Sequence, residues 1–381
     1  MEFFEIIRER IGNRKAVMPV FGDAESMVTA ALLLRVLPSD KVHFIHIDHG
    51  LLRHGEGAEI RKTLKSLGAK NIICVNAENG FLTATAAKSG RIVGPLAKTN
   101  DPYEKRFIIE EAIKRTFFKV AESIGDDAVI VGVNGIGKPI ITFERGILAK
   151  LVKDLGIRGK LLRQPFPLPA LAVRILCNDA VIAVTTEQRE CLYSVVDSFE
   201  KGYSSRLVPI RTVGIRDGKR SYKSMALICS KGIDSNFEIA RKIADAVHRE
   251  LGYINRVVLR IDSDAPAEPY HDRTLHICRE AADILREADA IVAEELESSK
   301  ATQFFAVLIP LVEDKSKLCS VAIRAVVTDD FKTADVAMPG EDVSIDALRR
   351  AVEKIKKHLG DKVDMILYDM TSKPPAAIEF E

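Results

Sequence analysis

The sequence contains no tryptophan and no closely spaced pair of cysteines. Its six cysteines lie far apart along 381 residues, without a C-x-x-C pair. Neither a zinc knuckle nor a disulfide framework is indicated, and we expect reduced thiols in a cytoplasmic protein. No apolar run approaches the roughly 20 residues that a membrane span requires, and the charged residues among the first ten positions do not fit a signal peptide.

The sequence also lacks an excess of charge of one sign. Lys and Arg number 56 against 54 Asp and Glu, which leaves a formal net charge of +2. Such a balanced chain creates no field that would gather nucleic acid or an anionic membrane. We therefore expect a small-molecule partner. At this length the chain should form two or three domains, each with its own core.

Short apolar runs alternate with helical periodicity in the first part of the chain. The predicted strands cover residues 16–20, 42–48, 72–75 and 128–133, and the predicted helices cover residues 26–37, 56–67 and 103–123. This alternation predicts a doubly wound α/β domain with a parallel sheet, whose ligand lies at the carboxyl ends of the strands. Residues 81–100 show no clear periodicity, which indicates either a mobile lid or a plain surface connection.

A proline-rich stretch follows this domain. Residues 164–170, QPFPLPA, contain three prolines, which lack an amide donor and have a fixed φ angle. Because such a stretch breaks a helix, we predict a domain boundary between residues 163 and 164. Beyond it the sequence resembles itself: MALI at 225–228 matches VAIR at 321–324, and each is followed by a helix, a strand and a proline-bearing tail. The repeat predicts two α+β units, at 164–270 and 271–381.

Three turns of the predicted α/β domain carry residues suited to chemistry. Residues 21–27, FGDAESM, join the first strand to the first helix, where amides and the helix dipole favour a phosphate. After the second strand, Asp48, His49 and Arg53 fall on the same edge of the sheet, although Asp48 and His49 could equally cap a turn. Residues 101–106, DPYEKR, begin a helix and fit either a ligand motif or a well-capped helix start.

Four stretches resemble the synthetase part of GMP synthetase, a member of the ATP-pyrophosphatase (PP-loop) superfamily. Residues 47–56 are similar to the family pattern VDHGLLRxGE, residues 101–106 to DPxEKR, residues 164–175 to QPFPGPGLAVRI, and residues 368–381, YDMTSKPPAAIEFE, to the C-terminal signature. The resemblance covers nearly the whole chain except the unit 164–270, which looks like an extra copy of the family's dimerisation domain. It implies an adenine nucleotide alpha-hydrolase-like sheet domain followed by two dimerisation-type units.

The resemblance also implies a reaction that uses ATP and Mg²⁺. In the family, ATP adenylates the xanthine base of XMP, pyrophosphate leaves, and ammonia from a glutaminase displaces AMP. The chain has no glutaminase region, which resembles the split arrangement in which the glutaminase is a separate subunit. By resemblance, the catalytic residues are Lys105, Arg106 and Asp48; the ATP-binding residues are Gly22, Asp23, Glu25, Ser26, His49 and Arg53; and the residues that bind XMP or GMP are Arg174, Gln303, Arg324, Lys373 and Glu379. No protein ligand to a metal is predicted.

The departures from the family pattern fall where ATP would bind. The family's SGGVDSS is replaced by FGDAESM, so that Asp23 brings a Cβ and a negative charge to a glycine position. One like-charge contact near 4 Å costs roughly 4 kcal/mol at an effective dielectric constant of about 20, unless a metal bridges Asp23 and Glu25 to phosphate. In addition, Ile140 stands where the family has an acidic residue, and the family's SHHN stretch has no counterpart in this sequence.

Two functional hypotheses follow from these residues. The chain is either an active AMP-forming ligase with a remodelled loop, or a catalytically impaired nucleotide-binding protein that regulates or partners a glutaminase. Sulfur transfer to tRNA, a third activity of the superfamily, lacks a cysteine pair or basic patch to support it. Lys373 and Glu379 could also be an ordinary salt bridge.

The repeat carries its own prediction about assembly. The family's dimerisation domain pairs two subunits, so a second copy in one chain predicts a monomeric pseudo-dimer. The copies are unequal, since Ile228 is predicted to stand where Arg324 stands, and Asp264 where Lys373 stands. We therefore expect the second copy to face the ligand and the first to act as scaffold.

Overall fold

The chain divides into two compact units. The computed structural model describes residues 2–143, 145–157, 170–177, 183–199, 202–216, 219–266, 271–329 and 332–381. The first unit comprises Met1–Ala97 and Tyr103–Ala170, and the second comprises Lys98–Pro102 and Leu171–Glu381. The predicted boundary at residues 163 and 164 lies outside the described residues. From Leu171 onward, both predicted α+β units fall in the second compact unit, which they share.

The first unit is built on a parallel sheet. Its elements are α1 (Glu2–Ile11), β1 (Ala16–Pro19), α2 (Ala24–Val36), β2 (Val42–Asp48), α3 (Glu56–Ser66), β3 (Asn71–Asn76), α4 (Glu78–Leu82), β4 (Ala86–Lys88), β5 (Arg91–Val93), α5 (Pro102–Glu122), β6 (Val129–Ile130) and α6 (Arg145–Asp154). Strands lie in the order β3-β2-β1-β6, and every neighbouring pair is parallel. The prediction of an α/β domain with a parallel sheet is confirmed.

This strand order creates a topological switch point. The chain starts at β1, moves outward to β2 and β3, and then returns to the other side of β1 with β6. In open α/β sheets, ligands bind outside the carboxyl ends of the strands where the order reverses. The turns after β1 and β6 therefore flank the place where this fold offers a crevice. The buried strand β1 and helix α2 form much of the core beneath it.

Residues 81–100 contain more structure than their sequence predicts. Strands β4 and β5 pair antiparallel, with Lys88 opposite Arg91. The two residues between them, Ser89 and Gly90, both have positive φ, as a tight two-residue hairpin turn requires. The prediction of an aperiodic loop was wrong here, because strands of three residues are too short to show a period.

The described residues of the second unit form one large sheet and a separate two-stranded pair, β10-β12. Its elements are α7 (Thr186–Asp197), β7 (Ser204–Arg216), β8 (Lys219–Cys229), α8 (Phe237–Glu250), β9 (Ile254–Arg260), β10 (His271–Asp272), α9 (Arg279–Glu295), β11 (Gln303–Ile309), β12 (Leu311–Val312), β13 (Cys319–Val327), β14 (Asp335–Val336), α10 (Ile345–Leu359) and β15 (Val363–Asp369). The sheet has the order β11-β13-β15-β9-β8-β7, with β14 on β13. Each half runs helix, antiparallel strand pair, helix, parallel strand.

The two halves meet at β9 and β15, which pair antiparallel. The parallel pairs also share an irregularity: the register shifts after Ser224 opposite Ile254 in the first half, and after Cys319 opposite Val363 in the second. Matching these two irregularities places a pseudo-twofold axis at the central pair Leu259–Tyr368.

The same match corrects one predicted equivalence. Counting from Ser224 and Cys319, Arg324 corresponds to Cys229 and not to Ile228. A one-residue error in register moves a side chain to the opposite face of the sheet, and a four-letter sequence match could not fix the register. The predicted correspondence of Asp264 with Lys373 has the same spacing from Ile254 and Val363.

The two faces of this sheet have different coverings. Tyr368 contacts Phe237 of α8 with ring centroids 6.3 Å apart, so its face carries helices. Side chains alternate along a strand, and Leu367 accordingly joins an apolar cluster on the other face, together with Phe380 and Ile378 of the C-terminal segment. The C-terminal segment therefore lies over the face opposite the helices.

Candidate functional site

The turn after β1 is closed by the carboxylate of Asp23. Asp23 is the N-cap of α2, and its Oδ1 accepts a hydrogen bond of 2.9 Å from the backbone amide of Ser26. Gly22 before it has φ +82°, which only glycine adopts readily. An N-cap side chain satisfies amides that a helix start otherwise offers to an anion. Asp23 thus takes up an amide that the start of α2 could otherwise offer to an anion.

The hydroxyl of Ser26 is also used within the turn. Ser26 is fully buried. Its Oγ lies 3.0 Å from Oδ2 of Asp23, to which it can donate, and it accepts from the amide of Phe21 at 3.4 Å. A serine predicted to contact ATP is therefore turned inward, and its hydrogen bonds stabilise the cap.

Asn134 closes the switch point from the other side. It follows β6 with φ +52°, and its side-chain amide donates a hydrogen bond of 2.9 Å to Oδ2 of Asp23. The turns after β1 and β6 are thereby tied together across the crevice of the parallel sheet. Ile140, which stands at the family's acidic position, packs in the core of this unit.

These contacts do not fit a triphosphate at the turn. The cradle that ATP would need holds a carboxylate, and the nearby Glu25 adds a second acidic group. Burial, and next the charge of Asp23, raise the pKa of Glu25 above its ordinary value. Within the described residues, no cluster of three or more His, Cys, Asp or Glu side chains could hold a metal ion.

The predicted residues at and just after the end of β2 make local contacts. Oδ1 of Asp48 accepts from the amide of Gly50 at 3.0 Å, which forms an Asx turn. His49 is buried, its Nδ1 accepts from the amide of Leu51 at 3.2 Å, and its ring lies 5.5 Å from that of Phe81. These contacts have the turn-capping character that the sequence left open, and a ligand role for Asp48 and His49 stays a prediction.

Three further predicted residues lie beside helix starts. The amide of Arg53 donates to Oε2 of the buried Glu56 at 2.9 Å, at the start of α3. Helix α5 begins at Pro102, close to its predicted start, and Lys105 in its first turn is fully buried, whereas Arg106 is partly buried. A contact of Lys105 or Arg106 with a phosphate chain stays a prediction.

The predicted nucleotide-binding residues of the second unit lie on one face of its sheet or on the C-terminal segment. Arg174, in a short 3₁₀ helix, forms an ion pair of 3.3 Å with Asp289, and its guanidinium lies 4.0 Å from the ring centroid of Phe305. Gln303 and Phe305 project from the same face of β11, about 7 Å apart along the strand. Arg174 and Gln303 are therefore on the same side of the sheet.

Residues 371–381, here called the C-terminal tail, carry the other two predicted contacts. The backbone of Lys373 exchanges hydrogen bonds of 2.8 and 2.9 Å with Ala334, and the carbonyl of Glu379 accepts from Arg256 at 2.8 Å. Both side chains are partly buried. The structure thus fixes the backbone at both positions and leaves part of each side chain accessible.

Arg324 does not reach the surface. It is fully buried and pairs with Asp369 at 3.1 Å, and Asp369 also pairs with the buried Arg256. Burial lowers the pKa of Arg256 to about 10, partly offset by Asp369, so it remains charged at neutral pH. Sequence reasoning missed Arg256 and Asp369. An arginine in the middle of the apolar run of β9 was the available signal, because such a residue must find buried partners.

Comparison with known proteins points to one family. Residues 290–380 match the family model described as GMP synthase C terminal domain. A glutamine-hydrolyzing GMP synthase of Dictyostelium discoideum is 27% identical over 98% of this chain and 64% of its own length. One from Caldicellulosiruptor saccharolyticus is 31% identical over 68% of this chain and 58% of its own length.

A shorter relative comes from Methanocaldococcus jannaschii. This protein is named as one subunit of a glutamine-hydrolyzing GMP synthase, and it is 26% identical over 70% of this chain and 96% of its own length. The chain spans less than two thirds of the Dictyostelium and Caldicellulosiruptor relatives. The chain is GMP synthetase-like, as its motifs predict. No helix of the described residues is long and apolar enough to cross a membrane.

Proposed function

We propose that this GMP synthetase-like chain is a cytoplasmic protein that binds a purine nucleotide of the XMP or GMP type and is impaired in ATP use. The observation that carries the proposal is the carboxylate of Asp23, which accepts from the Ser26 amide at the N-terminus of α2 and is held there by the Ser26 hydroxyl and Asn134. A phosphate would have to displace a bonded carboxylate and then lie beside it, so the affinity for ATP should be low.

We place the proposed nucleotide-binding site at the C-terminal tail. Lys373 offers a cation for phosphate, and Glu379 offers a carboxylate for donors on a purine base. Support comes from the match of residues 290–380 to the GMP synthase C terminal domain and from the fixed backbone of the tail. Such a protein would act as a regulator or scaffold, and a separate glutaminase subunit is the partner that we propose.

We also propose that the second unit arose by duplication, with copies at 164–270 and 271–381 after an ATP-pyrophosphatase-like domain at 1–163. The repeated order of elements, the matched irregularities in register and the central pair Leu259–Tyr368 support this. Two copies in one sheet would satisfy the surface that two subunits otherwise share, so the chain would be a monomer.

The second candidate function is an active AMP-forming ligase that uses ATP and Mg²⁺. The observation that favours it is the DPYEKR motif, whose helix α5 begins at Pro102 and carries Lys105 in its first turn. In that case the Asp23 carboxylate would have to leave the amides of α2 before ATP could bind.

Isothermal titration calorimetry separates the two candidates. We expect binding of XMP or GMP and little or no binding of MgATP. A pyrophosphate assay with XMP, MgATP and ammonia gives a second readout and should remain at background. MgATP binding together with XMP-dependent release of pyrophosphate would establish the ligase instead. If none of the three nucleotides bound, the C-terminal site would be refuted as well.

A further inference from the structure

A buried arginine of the first half reaches the C-terminal tail of the second half. Arg256 lies on β9 and is fully buried, and its Nη1 donates to Oδ2 of Asp369 on β15. Its Nη2 donates to the carbonyls of Ala377 at 3.1 Å and Glu379 at 2.8 Å. The guanidinium also lies 3.7 Å from the ring centroid of Phe380. One side chain thus contacts the tail at three residues.

The charges of this cluster require the tail. Arg256 and Arg324 carry two positive charges, and Asp369 carries one negative charge, all fully buried. The excess positive charge is met by carbonyl oxygens: Arg324 donates to those of Thr371 and, at 3.4 Å, Ala377. A buried charge is costly unless such partners surround it. The cluster therefore favours the tail in this one position.

The backbone of the first half guides the same segment. The amide of Val213 on β7 donates to the carbonyl of Phe380 at 2.8 Å, and that of Ile215 to the carbonyl of Pro375 at 2.7 Å. The amide of Ala377 donates back to the carbonyl of Val213 at 3.3 Å. The tail that bears Lys373 and Glu379 is therefore seated on a strand of the first half.

We propose that Arg256 is a positioning residue for nucleotide binding: the first half, through Arg256 and β7, holds Lys373 and Glu379 in the geometry that the ligand requires. The inference rests on the proposed nucleotide site and deepens it. The first half then does more than occupy the place of a second subunit, because the ligand site of the second half is incomplete without it.

The same strand supplies a matched control. Arg260 is also buried on β9 and also ion-paired, with Asp262 at 3.2 Å and Glu313 at 2.7 Å, but neither of these carboxylates belongs to the tail. Replacing Arg256 with Met leaves Asp369 paired with Arg324, so no carboxylate is left without a cation. R256M and R260M each remove one buried, ion-paired arginine. We expect only R256M to release the tail, because, of the two, only Arg256 contacts it.

The test combines hydrogen exchange of the tail amides with calorimetry using XMP and GMP on the full chain. In R256M we expect the amides of residues 376–381 to exchange at least tenfold faster and nucleotide affinity to fall at least tenfold. In R260M both should stay within about twofold of the wild type, whatever its melting temperature. R256K keeps the charge but lacks the planar fork, and serves as second variant if R256M does not fold.

Each outcome decides the inference. Equal exchange of the tail in R256M, R260M and the wild type would overturn it, as would a loosened tail with unchanged nucleotide affinity. If the wild type bound neither nucleotide, the proposed function would fail, and the exchange data alone would still show whether Arg256 positions the tail.

Discussion

Asn134 donates a hydrogen bond of 2.9 Å to Asp23 across the topological switch point of the parallel sheet. The two residues follow β6 and β1, which are neighbours in the sheet although 111 positions separate the residues along the chain. The bond joins the two turns between which a nucleotide would enter. Both turns therefore help to close this crevice, since Asn134 holds the carboxylate of Asp23 in place.

Replacing Asp23 should lower the stability of the protein and raise its affinity for anions. D23A removes an N-cap, and we expect a loss of about 1 kcal/mol in the free energy of unfolding, together with at least a tenfold gain in affinity for MgATP or inorganic pyrophosphate. Urea unfolding and calorimetry measure the two effects.

D23N is the matched variant, because asparagine caps a helix about as well as aspartate but carries no charge. It should keep wild-type stability and gain affinity to a smaller extent than D23A. If neither variant bound either anion better than the wild type, Asp23 would not be what excludes phosphate.

Much of this fold follows from local sequence. Predicted strands at residues 16–20 and 42–48 correspond to β1 and β2, and a helix predicted at 103–123 corresponds to α5, because buried parallel strands and long helices carry strong periodic signals. The departure from the family pattern at Asp23 was also visible in the sequence. A carboxylate in a turn that binds phosphate would repel the phosphate charge.

Long-range pairing was not predictable in the same way. No local pattern shows that Asn134 would bond to Asp23, or that Arg256 and Arg324 would share Asp369. The register of the repeat depended on irregularities in strand pairing, which a sequence match does not reveal. Arg324, predicted to bind the nucleotide, lies in this buried cluster, and its contact with a ligand stays a prediction.

Replacing Asp369 should strongly lower the free energy of unfolding of the second unit. D369N would leave Arg256 and Arg324 buried without a counter-charge, and breaking a buried ion pair in this way costs about 3–5 kcal/mol. Urea unfolding followed by circular dichroism measures the loss. E313Q is the control, because Arg260 keeps Asp262 as a partner, and it should cost clearly less. Equal losses of unfolding free energy in D369N and E313Q would show that the Arg256–Asp369–Arg324 cluster contributes no more to stability than the Arg260 ion pairs.

Nucleotide binding should depend on the side chains of the C-terminal tail. We expect K373A to weaken XMP or GMP binding at least tenfold, because a cation next to a phosphate is lost, and E379Q to weaken it less. The half-exposed Lys362, which pairs with Glu280 of α9 at 2.8 Å, supplies the control K362A. Calorimetry in low salt measures all three variants, and equal affinities in K373A and K362A would place the ligand elsewhere.

The pairing of Leu259 with Tyr368 predicts a monomer. If the two halves of the sheet are copies of one unit, as proposed, their pairing would already use the surface that recruits a second subunit. Light scattering coupled to size exclusion should give a molar mass near 42.1 kDa at micromolar concentration. A mass of twice that value, unchanged on dilution, would contradict the pseudo-dimer.

His248 on α8 predicts how stability depends on pH. Burial lowers its pKa to about 4; the charges of Asp369 and Asp245 oppose this shift, and that of Arg256 adds to it. The unfolded chain, with a histidine pKa near 6.5, therefore binds a proton that the folded chain does not between pH 6.5 and 4. By linkage, the stabilising contribution is complete above pH 6.5 and is lost as the pH falls toward 4.

The loss should reach about 3 kcal/mol if the whole shift is expressed. Carboxylates titrate in part of the same range, so the informative quantity is the difference between the wild type and H248L, which cannot bind the proton. That difference in the free energy of urea unfolding, measured from pH 7 to 4, should move steadily in favour of H248L as the pH falls. Parallel curves would mean that His248 is as accessible to protons in the folded protein as in the unfolded chain.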